Sequence, residues 1–178
     1  LSLLNSHKIK GKALGIVATC SGLLIVLAFL SIGLYTLSEL RENFLSPEVS
    51  KNFEISINNI YIRYICFGFF AFLLFAIRTL VRKDFMKINY KVPFEIVMHT
   101  SIIWILSSEL LNWMDLSGSE QSYKLGLSIL WGLYALLLIV LGIWKKKKHL
   151  RIGAIILFSF TLIKLFFYDI SSLNTISK

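Results

Sequence analysis

The chain has 178 residues, of which 56% are hydrophobic and 16% are charged, and its mean hydropathy is +0.72. A soluble domain carries about 25% charged residues, so this composition excludes an ordinary soluble protein and predicts several membrane spans. The formal net charge of +9 would suggest a nucleic-acid partner in a soluble protein, but no such partner is predicted here, because the basic residues follow a membrane pattern.

Five apolar stretches follow one another along the chain, and each is long enough to cross about 30 Å of hydrocarbon. The predicted spans are 12–35, 60–79, 93–114, 125–144 and 150–170. The connection 38–59 is polar, contains Pro47 and leaves room for a short surface helix. The sequence therefore predicts an all-α transmembrane helical bundle that forms a single domain over 1–178. Because residue 1 is Leu rather than Met, we expect the chain to be part of a longer protein.

The basic residues predict the orientation of the spans. Thirteen of the 19 Lys and Arg residues lie on one predicted side of the membrane: before the first span, between the second and third, and between the fourth and fifth. They are Lys8, Lys10, Lys12, Arg78, Arg82, Lys83, Lys87, Lys91, Lys145, Lys146, Lys147, Lys148 and Arg151. Cytoplasmic loops are enriched in Lys and Arg. We therefore expect a bacterial inner-membrane protein with a cytoplasmic N-terminus and an outer C-terminal end. The run Lys145–His149 is interpreted as a stop-transfer signal that also contacts lipid headgroups.

Small residues on two of the helices indicate where helices touch. They recur three, four or seven residues apart, as Gly11, Gly15, Ala18 and Gly22 on the first helix and Ser128, Gly132, Ala135 and Gly142 on the fourth. In lipid, close backbone approach at small residues favours helix association. Both faces are therefore expected to pack against protein.

Charged residues inside the spans need partners. Lys164 lies in the outer half of the fifth span, where an unpaired charge costs from ~3 to more than ~10 kcal/mol. Asp169 lies about 140° around the same helix, so a carboxylate of another helix is the better partner. Glu109 lies at a similar depth on the third span, and Arg63 does so on the second. We predict an outer polar network of these four residues; the alternative is that the lysine extends along its helix to the headgroups.

A second polar pair, Glu95 and His99, lies four residues apart on the cytoplasmic half of the third span. This spacing suits a metal, a proton relay or a simple hydrogen bond. Two ligands are too few for a convincing metal site, so neither a metal nor another cofactor is predicted. The sequence has no nucleophile elbow, phosphate-binding loop or zinc-protease motif, so no catalytic residue is predicted.

The last third of the chain, "LSILWGLYALLLIVLGIWKKKKHLRIGAIILFSFTLIKLFFYDISSL", resembles the C-terminal region of a family of large bacterial membrane proteins, domain of unknown function 2339. The matching residues are Trp131, Gly142, Leu150, Arg151, Thr161, Lys164, Asp169 and Leu173. The resemblance implies a stack of hydrophobic helices, often following a coiled coil, with no established activity. It also implies further helices beyond this chain.

Two function classes remain on the residues alone. The first is a non-enzymatic helical module that packs with membrane lipid and with other transmembrane helices of the same protein or a partner. The alternative is a transporter or an envelope-lipid or glycan-handling protein with an outward polar pocket formed by Arg63, Glu109 and Lys164. Closed polar pairs would favour the module, whereas an open wet cavity would favour ligand binding. An intramembrane enzyme has no specific support.

Overall fold

A computed structural model of the protein describes residues 12–45, 58–82, 91–117 and 123–169. The described residues form six α-helices: α1 (Lys12–Ala28), α2 (Leu34–Leu45), α3 (Asn58–Val81), α4 (Lys91–Leu116), α5 (Tyr123–Trp144) and α6 (Lys148–Lys164). A π-helical segment, Phe29–Gly33, joins α1 to α2, and a second one, Leu165–Asp169, follows α6. No strand occurs in these ranges, and the predicted all-α fold is confirmed.

Five helical stretches of the described chain are long and apolar enough to span a membrane. They are Ala13–Glu42, Tyr61–Val81, Lys91–Leu116, Leu125–Trp144 and Lys148–Phe167. The number of spans predicted from the sequence is confirmed, and four of the five predicted ranges lie within a few residues of those observed. Both signals, length and hydropathy, are local properties of the chain, which explains why the sequence alone predicted them.

The first span is the exception, because the helix does not end near residue 35. It continues through the polar residues predicted as a connection and ends at Leu45, shortly before Pro47. Its buried positions recur at spacings of four, three and four, as Leu30, Leu34, Leu37 and Arg41. One continuous buried stripe therefore extends the helix beyond the apolar stretch.

The helices group into two compact units, Leu1–Ser101 and Ile102–Lys178, which divide within α4. In the first unit α1 and α2 pack against α3. Gly15 and Gly22 are buried, and a β-carbon at Gly22 would lie 2.9 Å from the Ile77 side chain. The predicted protein contact of this face is confirmed at these two glycines, whereas Gly11 lies outside the described residues.

The core of the second unit forms between α5 and α6, which make an antiparallel hairpin. The buried side chains are Tyr134, Leu138, Leu150 and Ala154, and Ile102, Ile103, Ile139, Leu141 and Leu157 pack around them. Ser128, Ala135 and Gly142 of the predicted small-residue face are buried. Gly132 differs, because a β-carbon there would meet no atom within 4 Å among the described residues of this unit. No described residue of this unit packs on Gly132, so protein contact at this position stays a prediction.

Candidate functional site

The polar contacts of the second unit lie between its helices. Lys164, the last residue of α6, is half-buried, and its Nζ donates a hydrogen bond to Oγ of Ser128 on α5 at 2.7 Å. Ser128 is only 3% exposed. The lysine thus directs its ammonium group to a neighbouring helix, where a charge-assisted hydrogen bond offsets part of the cost of removing it from water.

A second interhelical hydrogen bond joins α4 to α5. The indole Nε1 of Trp131 donates to Oγ of Ser107 at 2.8 Å. The same hydroxyl donates to the carbonyl oxygen of Ile103 at 2.7 Å. Ser107 is therefore both acceptor and donor, and it is well paired. This contact was not predicted from the sequence, although a tryptophan inside a span needs a partner for its N–H group when it packs against protein.

The predicted outer network is divided between the two units. Arg63 belongs to the first unit, whereas Glu109 and Lys164 belong to the second. Glu109 is half-buried. Asp169 ends the second π-helical segment, but its side chain lies outside the described set. The shared network of these four residues therefore stays a prediction, and the hydrogen bond from Lys164 goes to Ser128, a residue outside the predicted network.

Arg63 lies on an aromatic cluster within the first unit. It is only 2% exposed, and its guanidinium carbon lies 5.3 Å from the ring centroid of Phe67, one turn further along α3. Phe67 also meets Phe29 edge-on at 6.4 Å, and Phe29 stacks on Phe70 at 4.6 Å. The π-helical segment begins at Phe29, so the cluster joins this segment to α3. A cation over an aromatic face is stabilised by the ring quadrupole, and the i, i+4 spacing of the pair was visible in the sequence.

Asn112 on α4 is another buried polar residue. It is 1% exposed, and its Nδ2 has no hydrogen-bond partner among the described residues. A buried amide without a partner costs about 1–3 kcal/mol. Three other buried hydroxyls bond within their own helices: those of Thr19, Ser101 and Thr161 each donate to the carbonyl four residues earlier.

Glu95 and His99 both lie on α4 and are half-buried. Within the described ranges, no group of three or more His, Cys, Asp or Glu side chains is placed to hold a metal ion. The inner polar pair therefore stays a prediction.

An apolar groove of about 590 Å³ runs between α1 and α3 in the first unit. Its lining includes Ala18, Gly22, Leu73 and Ile77, and Ser21 is its single polar residue. Such a groove offers surface to an acyl chain or to another helix. The described part of its lining contains no charged side chain.

The turn between α5 and α6 contains several lysines, and backbone hydrogen bonds fix its conformation. The N–H of Lys146 donates to the carbonyl of Ile143 at 3.1 Å, and that of Lys147 donates to the carbonyl of Gly142 at 2.9 Å. These two hydrogen bonds form the Schellman motif that commonly ends a helix. Lys146 occupies its left-handed position with φ 53°, where glycine is the usual residue.

The model of a protein family described as predicted membrane protein, domain of unknown function 2339, matches residues 2–178. The similarity predicted from the last third of the sequence is confirmed, and it extends over nearly the whole chain. No curated protein and no solved structure matches the chain significantly.

Proposed function

We propose that this chain, which belongs to the family of predicted membrane proteins known as domain of unknown function 2339, is a non-enzymatic helical module of a larger membrane protein or complex. The observation that carries the proposal is the hydrogen bond from Lys164 to Ser128. In this bond Lys164, a cation within the candidate span Lys148–Phe167, joins α6 to α5. A polar group that is hydrogen-bonded to a neighbouring helix stabilises the bundle and does not serve substrate binding.

The hydrogen bond between Trp131 and Ser107 supports the same function. Together the two bonds connect α5 to both other helices of the second unit. Interhelical hydrogen bonds of this kind contribute roughly 0.6–2 kcal/mol each in membranes. The four residues of these two bonds therefore act in helix association.

The exposed apolar surface supports packing with further partners. In the most apolar part of each span, between 11% and 28% of the residues are buried. The remaining surface contacts lipid and, in our proposal, other transmembrane helices. Lipid tails are as apolar as leucine, so helix contacts there depend on shape and on hydrogen bonds.

We further propose a bacterial inner-membrane location with a cytoplasmic N-terminus and an outer C-terminal end. The asymmetric distribution of Lys and Arg supports this orientation. Single cysteines at Ser117 and at Lys146, both exposed, test it. A membrane-impermeant maleimide should label Ser117→Cys and spare Lys146→Cys in intact cells. The reverse pattern would invert the topology.

A second candidate function, transport or handling of an envelope lipid or glycan, is favoured by Asn112. Its buried Nδ2 lacks a hydrogen bond within the described chain, and a bound polar molecule would provide one. The variant Asn112→Leu separates the two functions, because it removes an unsatisfied amide. A module should keep or gain thermal stability and assemble normally, whereas a ligand-binding protein should lose substrate transfer.

Lys164→Met tests the main proposal. We expect the variant to unfold at a lower temperature in detergent and to assemble poorly in the membrane, because the bond to Ser128 is lost. The exposed Ser159→Ala on the same helix is the matched control. A variant with the stability and assembly of the parent would refute the structural role of Lys164.

A further inference from the structure

We propose that the basic turn, residues Lys145–Arg151, is a binding site for the phosphate groups of anionic phospholipids. Four of its side chains are exposed, those of Lys145, Lys146, Lys148 and Arg151. The sequence between residues 121 and 168 contains no Asp or Glu. The hairpin therefore presents a concentrated positive charge with no carboxylate of its own to neutralise it. Such a local cluster without acidic neighbours in sequence is more than the general enrichment of Lys and Arg on one side of the membrane requires.

The backbone of the basic turn is fixed before any lipid binds. The two Schellman hydrogen bonds hold Lys146 and Lys147 against the end of α5. Gly142 allows α6 to approach closely, because a β-carbon there would lie 3.1 Å from the backbone nitrogen of Arg151. Leu150 is buried in the core between the two helices. A preformed site loses less conformational entropy on binding than a flexible loop does.

The start of α6 adds to the attraction for anions. Its N-cap residue, Lys147, makes no side-chain capping bond, and the first turn contains no acidic residue. The positive end of the helix dipole is therefore not compensated by a carboxylate from the helix itself. The exposed lysines and arginine carry the site, and the helix end reinforces it.

The flanking residues favour lipid over nucleic acid as the source of the phosphate. Trp144, directly before the turn, is 78% exposed, and Ile143 and Ile152 are also exposed. Trp is enriched at the level of the headgroups, where apolar and polar surroundings meet. An exposed tryptophan and two isoleucines beside a lysine cluster match the boundary between acyl chains and phosphates.

The experiment measures lipid retention by native mass spectrometry of the detergent-solubilised protein. Phosphatidylglycerol and phosphatidylcholine with the same acyl chains are added in parallel. We expect the parent protein to retain phosphatidylglycerol preferentially. Near a membrane surface one basic residue contributes about a fivefold gain in affinity for anionic lipid. Replacing Lys145, Lys146 and Lys148 together by Gln should therefore remove most of the preference.

Further variants separate binding from folding and from net charge. Lys146→Gly suits the left-handed backbone and keeps the turn, yet it should weaken phosphatidylglycerol binding about fivefold. Arg78→Gln with Arg82→Gln removes two exposed charges at the end of α3 and should have a smaller effect than the charge-matched pair Lys145→Gln with Lys148→Gln in the basic turn. Equal losses in the two double variants would overturn a local site.

Competitors identify the chemical source. Inorganic phosphate at the lipid concentration should not displace phosphatidylglycerol, because it lacks acyl chains to insert beside Trp144. Unchanged lipid preference in the triple variant would overturn the proposal. So would a triple variant that loses binding of a fluorescent oligonucleotide while it keeps the lipid.

Discussion

The ammonium group of Lys164 and the hydroxyl of Ser128 lie 2.7 Å apart and join α6 to α5 by a hydrogen bond. The lysine ends the regular part of its helix, and the serine lies on a face predicted only for close packing. A small residue at this position therefore has two effects: it permits helix approach and supplies an acceptor. The charge of Lys164, which would be costly in a membrane without a partner, thus helps to hold the two helices together.

A double-mutant cycle measures this contact. Ser128→Ala leaves the lysine without its serine acceptor and should lower the free energy of unfolding by about 1–3 kcal/mol. Adding Lys164→Met should recover part of the loss, because the charge is then absent. Thermal unfolding of the purified protein in detergent gives the coupling. Ser159→Ala controls for the loss of a hydroxyl, because the hydroxyl of Ser159 donates within its own helix, to the carbonyl of Ile155. Additive effects of Ser128→Ala and Lys164→Met would show that the bond between these residues contributes nothing.

Two glycines of α5 should respond oppositely to alanine. At Gly142 the new β-carbon would lie 2.7 Å from Cγ of Arg151 and 3.3 Å from Cβ of Leu150, so Gly142→Ala should cost about 1–3 kcal/mol by overpacking. At Gly132 the space is open among the described residues of the second unit, and Gly132→Ala should gain up to about 1 kcal/mol of helix propensity. Melting temperatures in one detergent compare them directly. A tolerated alanine at Gly142 would mean that the hairpin opens easily.

Neighbouring lysines in the basic turn should respond differently to glycine. Lys146 has a positive φ of 53°, which strains a residue with a β-carbon, so Lys146→Gly should stabilise the protein by about 0.5–1 kcal/mol. Lys145 donates its N–H to Leu141 in a helical pattern, and Lys145→Gly should instead destabilise by a similar amount. Both variants lose one charge, so electrostatics cancel in the comparison. Equal shifts in melting temperature would contradict the backbone argument.

The sequence predicted the features that depend on local composition. The five apolar stretches form five helices that are long and apolar enough to span a membrane, and both properties can be read along the sequence because the hydrocarbon thickness sets the required length. The extension of the first helix to Leu45 was not predicted, since Arg41 and its polar neighbours read as a connection. Their helix depends on the buried stripe that Leu34 and Leu37 make in the folded unit. Which residues form this stripe depends on how the helices pack in the folded protein.

The details of the candidate site depend on how each helix is rotated. The depth of Lys164 could be counted along the sequence, but its acceptor Ser128 could not, because several polar residues lie at the same level. Likewise, the small-residue spacing included Gly132 among packed positions, although only the rotation of α5 decides which of these glycines meets a neighbour. The left-handed backbone conformation of Lys146 could not be predicted from the sequence either, since the usual signal for that conformation is glycine.

The aromatic support of Arg63 provides the last prediction. Its buried guanidinium lies 5.3 Å from the Phe67 ring centroid, and Phe67→Leu would remove the ring face while keeping an apolar side chain. We expect a loss of about 1–3 kcal/mol, because both the cation–π contact and the edge contact with Phe29 are lost. Phe67→Tyr should stay close to the parent, since it retains the ring, and Phe69→Leu, at an exposed position of the same helix, should have little effect. Thermal unfolding in detergent is measured for each variant and again in an Arg63→Met background, where the loss from Phe67→Leu should shrink. An undiminished loss in that background would show that the ring acts only through apolar packing and that it does not stabilise the buried arginine.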